Sequence, residues 1–150
     1  MSIYNQYAES VRQRRADAER AKQEREFSLH NAAARLIELI NAYAGIDPEI
    51  NGVGLTRAND HEGQMVGATQ LIDFDGPDTL KFGLSFSVIC NGQRLGTALV
   101  PASLSTTNET SRFALKVKGF SYDFEPGSTD GLNTAEDVWN VLVSEFNSRG

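Results

Sequence analysis

Leu80-Lys81-Phe82-Gly83-Leu84-Ser85-Phe86-Ser87-Val88-Ile89-Cys90, followed at once by Asn91-Gly92, is the stretch whose reading decides the fold. Its even positions are apolar and its odd positions mostly small or polar, the period of a strand with one buried face. Asn-Gly tolerates positive φ at both central residues of a two-residue type I′ turn, so the chain reverses there and returns antiparallel. Pairing Cys90 with Gln93 places Val88 opposite Leu95 and Leu84 opposite Leu99, which keeps the apolar residues of both strands on one side. On this register Cys90 falls on the inward parity, a small apolar filler shielded from thiol reagents.

From Ser2 to Ala44 the chain has neither proline nor glycine and is rich in Ala, Arg, Glu, Gln and Leu. That composition predicts one long helix or two in tandem. Leu29, Ala33, Leu36, Ile40 and Tyr43 recur at three- and four-residue spacing, with Phe27, Ile37 and Leu39 widening the stripe, so this half docks on the sheet. Gly45 and Asp47-Pro48 mark the stop. In the first half the seam positions Arg14, Ala18, Ala21 and Arg25 are small or charged and offer little to bury. The reading is a helical arm over residues 1–26 and a single α+β domain over 27–150.

Further along, Gly52 to Thr56 reads as a short strand, residues 58–63 as a polar loop, and Met65 to Phe74 as strand-compatible. Asp75-Gly76-Pro77-Asp78 turns the chain into the Leu80 strand, and Leu95 to Val100 is that strand's partner, stopped by Pro101. In the last strand, Arg112 to Phe124, the apolar set moves from Phe113, Leu115 and Val117 to Phe120, Tyr122 and Phe124. A β-bulge at Lys118-Gly119 would produce that change of parity. Asn133 or Thr134 caps a final helix with Val138, Trp139, Val141, Leu142 and Phe146 on its apolar face. The fold class is α+β: a long N-terminal helix, a four- to five-stranded antiparallel meander sheet, and a C-terminal helix packed on the sheet.

A chain of 150 residues with 40% apolar content supports one core. Residues 1–35 carry a net charge of +2 and residues 36–150 a net charge of −8, a mildly basic arm on an acidic body. A lone cysteine excludes an internal disulfide and a multi-thiolate metal site. No apolar run reaches membrane-spanning length and the first residues do not form a signal peptide, so a cytoplasmic protein with no membrane partner is expected.

Meander topology would bring the 58–64 loop, the Asn91-Gly92 turn and the segment after Phe124 to one end of the sheet. His61, Cys90, Asp123 and Glu125 would then be neighbours, the parts of a small enzyme or metal-dependent hydrolase. An inward Cys90 weighs against that alternative. Asp73-Phe74-Asp75-Gly76-Pro77-Asp78 lacks the spacing of a calcium loop, and Gly52-Val53-Gly54 lacks the third glycine of a dinucleotide site. His30 stands alone on the first helix. No metal, cofactor or catalytic residue is expected.

Arginines 12, 14, 15, 20 and 25 with Lys22 are interleaved with Asp17, Glu19, Glu24 and Glu26. The charges largely cancel, which makes a nucleic-acid-associated helix the weaker alternative. The favoured reading is a non-catalytic protein–protein interaction module. Tyr4, Tyr7 and Val11 form its apolar anchor and Arg12, Arg14 and Arg15 its rim, against another protein or a second copy of the chain. The small size, acidic body and helix–sheet–helix order resemble secretion chaperones and small inhibitors encoded by phages or mobile elements. That resemblance implies an adaptor, chaperone-like or inhibitor role.

Overall fold

The computed structural model describes residues 2–47, 50, 52–109 and 111–149. Helix α1 runs unbroken over Ile3–Ala44. Its start is capped by Ser2, whose Oγ accepts the Asn5 N–H at 3.1 Å, and its end by Gly45 in the left-handed conformation, φ 68°. Pro48, the second part of the expected stop, lies outside the described residues.

Five strands follow: β1 (Val53–Arg57), β2 (Thr79–Cys90), β3 (Gln93–Thr106), β4 (Phe113–Val117) and β5 (Phe120–Phe124). They pair in sequence order, each antiparallel to the next, and helix α2 (Asp130–Arg149) closes the chain. This is the expected α+β meander. The inward row of β2, namely Leu80, Phe82, Leu84 and Phe86, is buried together with Val100 and Leu104 of β3 and Leu115 and Val117 of β4. From the helices, Leu29, Leu36 and Ile40 of α1 and Val138 and Leu142 of α2 close that core. Phe86 stacks on Trp139 at 5.0 Å between ring centroids and meets Phe146 at 5.7 Å.

The two hairpins differ from expectation in complementary ways. Asn91 and Gly92 adopt φ 53° and 76°, the predicted turn, and Cys90 pairs with Gln93. The ladder then slips: Ile89 pairs with Arg94 but Val88 with Gly96, so Leu95 is an extra residue and Leu84 faces Val100 rather than Leu99. Leu95 is pushed outward, 60% exposed. The slip brings Gly96 under Phe146, where an added Cβ would lie 3.0 Å from the ring. At Lys118-Gly119, where the bulge was expected, φ values of 51° and 85° make a second two-residue turn, and Val117 pairs with Phe120. The parity change is thus a chain reversal. Lysine at positive φ is uncommon, and the Lys-Gly pair gave no hairpin signal.

Strand β3 passes through Pro101 to Thr106 instead of stopping. The Pro101 carbonyl accepts the Lys118 N–H at 3.0 Å, so the missing proline N–H faces Lys118, in the turn just past the end of β4, and the ladder to β2 is untouched. Met65 to Phe74 is not a strand. It makes single bridges at Val66 and Phe74 and one 3-10 turn at Ala68–Gln70, held to α1 by His30, whose Nε2 donates to the Leu71 carbonyl at 2.8 Å. Helix α2 begins before the expected cap: Thr134 is already inside it, donating its hydroxyl to the Asp123 carbonyl at 2.9 Å. Phe27 is 67% exposed, on the side of α1 away from the sheet, and so does not widen the docking stripe.

Cys90 is exposed rather than buried. It keeps the inward parity of β2, but β1 begins opposite Phe86, so the tip of the hairpin projects past its neighbour. Parity names a side, and here no described residue covers it.

Candidate functional site

Residues five or ten turns apart on a helix share an azimuth, at about 3.6 residues per turn. Projected this way, Val11 lies in line with Leu29, Ile3 with Leu39, Tyr4 with Ile40, and Arg14 and Arg15 with Ala32 and Ala33. All five of these later residues are buried in the core. The core-facing line of α1 therefore continues to its first residue, but the domain beneath it does not. From Ser2 to Arg20 every side chain is exposed except the half-buried Val11. Ile3, Tyr4 and Tyr7 are 84%, 77% and 63% exposed.

Burial resumes where the helix meets the end of the sheet. Ala21, Arg25 and Ser28 line a cleft of about 530 Å³ with Asp78, Thr106 and Phe113. Arg25 Nε stands 3.4 Å from the Asp78 carboxylate without the alignment of a hydrogen bond. Along the arm the contacts are local: Arg12 pairs with Glu9, and Gln13 donates to Asp17 at 3.1 Å. Hydrogen bonding from Arg12, and then its charge, hold the Glu9 carboxyl below its ordinary value. Arg14 and Arg15 extend into solvent beside the apolar tip. Tyr4, Tyr7, Val11, Arg14 and Arg15 thus share one side of one element. Arg12 is engaged with Glu9, and Ile3 joins the anchor although the sequence reading passed over it. The repeat that links Ile3 to Leu39 was available to find it.

The second constellation does not assemble. Arg57 pairs with Phe82, near the start of β2, so the following loop lies at the end of the sheet opposite Cys90. From Phe82 to Cys90 the strand runs about 25 Å. Asp123 is level with Thr79 but three strands away from it, through Ala114 and Ser105. Glu125 is bound to Arg112 at 3.3 Å. The three aspartates around Gly76 also part company: Asp73 pairs with Arg57, Asp75 with Lys81 and Asp78 with Arg25. They tie β1, β2 and α1 to the turn. Among the described residues no three of His, Cys, Asp and Glu converge as metal ligands.

On the sheet face turned away from the helices lies a cavity of about 670 Å³. Register explains its floor. Thr56, Gly83 and Pro101 form one row across β1 to β3, and Lys81, Ser103 and Lys116 the next row across β2 to β4. Arg57 and His61 stand on one side, Lys118 and Gly119 on the other. The 58–64 loop folds over this face, with Gly63 against Leu99. No sequence motif marks these residues, because the strand ladder alone brings them together.

Among the described residues, no helix is long and apolar enough to cross a membrane. Comparisons with protein-family models, curated proteins and solved structures give no match to this chain.

Proposed function

We propose that this protein is a non-catalytic interaction module that binds another protein through the first half of α1. The observation that carries the reading is the continuation of the core-facing line of the helix into a segment where Ile3, Tyr4 and Tyr7 are left in water. Most helical stability in proteins comes from tertiary cover of an amphipathic stripe, and the first half of α1 lacks it. A partner that seats the apolar tip in a groove would supply that cover. Arg14 and Arg15 lie between the tip and the docked half, which suits a groove rimmed by carboxylates. They would act on association rate and salt dependence more than on affinity.

The test compares the full chain with a Tyr4→Glu/Tyr7→Glu variant. Sedimentation reports self-association, and affinity capture from the native host reports other partners. Both substitutions fall on exposed side chains, so the melting temperature should hold while the complex is lost. A variant that retains the wild-type complexes at undiminished affinity would overturn the reading and turn the search towards the sheet.

A further inference from the structure

Residues 36–150 contain only seven lysines and arginines, and four of them, Arg57, Lys81, Lys116 and Lys118, line the cavity on the outer sheet face described above. The same stretch has a net charge of −8. Basic groups are thus scarce in the body and gathered at one concavity.

The acids cancel one of them, Lys118, whose ammonium is engaged by Glu145 of α2, and leave the others only partly compensated. Arg57 is held from outside by Asp73 at 3.3 Å, Lys81 by Asp75 at 3.4 Å, and Lys118 by Glu145 of α2. None of these three acids lines the cavity. The first two pairs are solvated contacts of the weak, salt-screened kind, so they orient the cations without fully neutralising them. Asp60 is the one carboxylate in the lining, and its two oxygens accept the Glu62 and Gln64 N–H groups at 2.9 and 3.2 Å. The Lys116 side chain makes no ion pair or hydrogen bond among the described residues, while its backbone is held in β4. The ladder sets it two strands from Lys81 with Ser103 between them, about 10 Å across. An oxyanion placed over Ser103 would lie within reach of both ammonium groups, with Leu99 and Pro101 as an apolar floor beside it.

We infer that this cavity binds a compact multivalent oxyanion, bearing phosphate or clustered carboxylates, with Lys116 as its principal contact and Lys81 and Ser103 as its flanks. The site is separate from the arm, and neither reading depends on the other.

Calorimetry and amide chemical-shift mapping on the full chain test it, with pyrophosphate and citrate as probes at constant ionic strength. Saturable binding of either probe is expected, with shifts at Lys81, Ser103 and Lys116. Pyrophosphate alone would identify phosphate as the recognised group, citrate alone a carboxylate cluster, and both would show that charge and size suffice. Lys116→Gln should weaken binding about tenfold, the loss of one charge-assisted hydrogen bond. Arg94→Gln, on the hairpin outside the cavity, should change nothing. Lys116 is exposed, so its variant keeps the fold, which an unchanged melting curve verifies. Failure of both probes to saturate, or an equal loss in the Lys116 and Arg94 variants, would overturn the inference.

Discussion

The two halves of α1 are one uninterrupted helix with one continuous inward line, yet the second half is core and the first half is surface. Leu29, Leu36 and Ile40 are fully buried, while Ile3, Tyr4 and Tyr7 stand in water. The difference teaches that periodicity sets an azimuth and says nothing about what lies under it. The β2–β3 hairpin repeats the lesson: Leu80, Phe82, Leu84 and Phe86 are covered and Cys90, on the same parity, is not.

The sharpest way to break the comparison is to truncate matching positions. Leu36→Ala should cost about 2–5 kcal/mol in a denaturant titration, because it empties a fully buried site. Val11→Ala, on the same side of the helix, should cost less than about 0.5 kcal/mol. Equal costs would mean that the arm folds back onto the body in solution. Hydrogen exchange gives the same contrast without mutation. Amides from Tyr7 to Arg20 should exchange in the low-protection range, and those from Leu29 to Ile40 should approach global protection.

Cys90 tests the hairpin version. The sequence reading expected a slow thiol, whereas the exposed position predicts modification by a neutral disulfide reagent in the folded state at a rate near that of a free peptide thiol. Protection of the thiol would mean that the hairpin tip is covered, as by a second copy. The smallest effect lies at the last turn of α1. Desolvation first, and then the Glu136 carboxylate of α2, raise the Tyr43 phenol above its ordinary value. Ionisation is therefore disfavoured in the fold. The associated stability is whole below the ordinary tyrosine value of about 10 and is lost as pH rises through the higher folded value. Tyr43→Phe should flatten that part of the alkaline stability profile and leave neutral pH nearly unchanged.

Much of the architecture was legible because its signals are local. Asn91-Gly92 specifies a turn through φ alone, Gly45 ends α1 for the same reason, and the alternation in β2 assigns its buried face. The errors arose where one local pattern has two causes. A change of parity follows either from a bulge or from a reversal, and Lys118-Gly119 proved to be the reversal while the bulge lay at Leu95. Pro101 was read as a stop because the direction of its missing N–H depends on where β4 ends.

The sites divide along the same line. The anchor at Tyr4, Tyr7 and Val11 could be found from spacing, since all three residues share one helix whose geometry is set by hydrogen bonds within it. The basic cavity could not, because Lys81 and Lys116 become neighbours only through the register of three strands, and register is a property of the paired sheet. By itself the sequence determined which side of each element is apolar and where most turns fall, because backbone sterics and periodicity act within a few residues. Only the tertiary structure decided how far the core extends along those sides, for cover is supplied by other parts of the chain, and at the arm and the hairpin tip it ends before the pattern does.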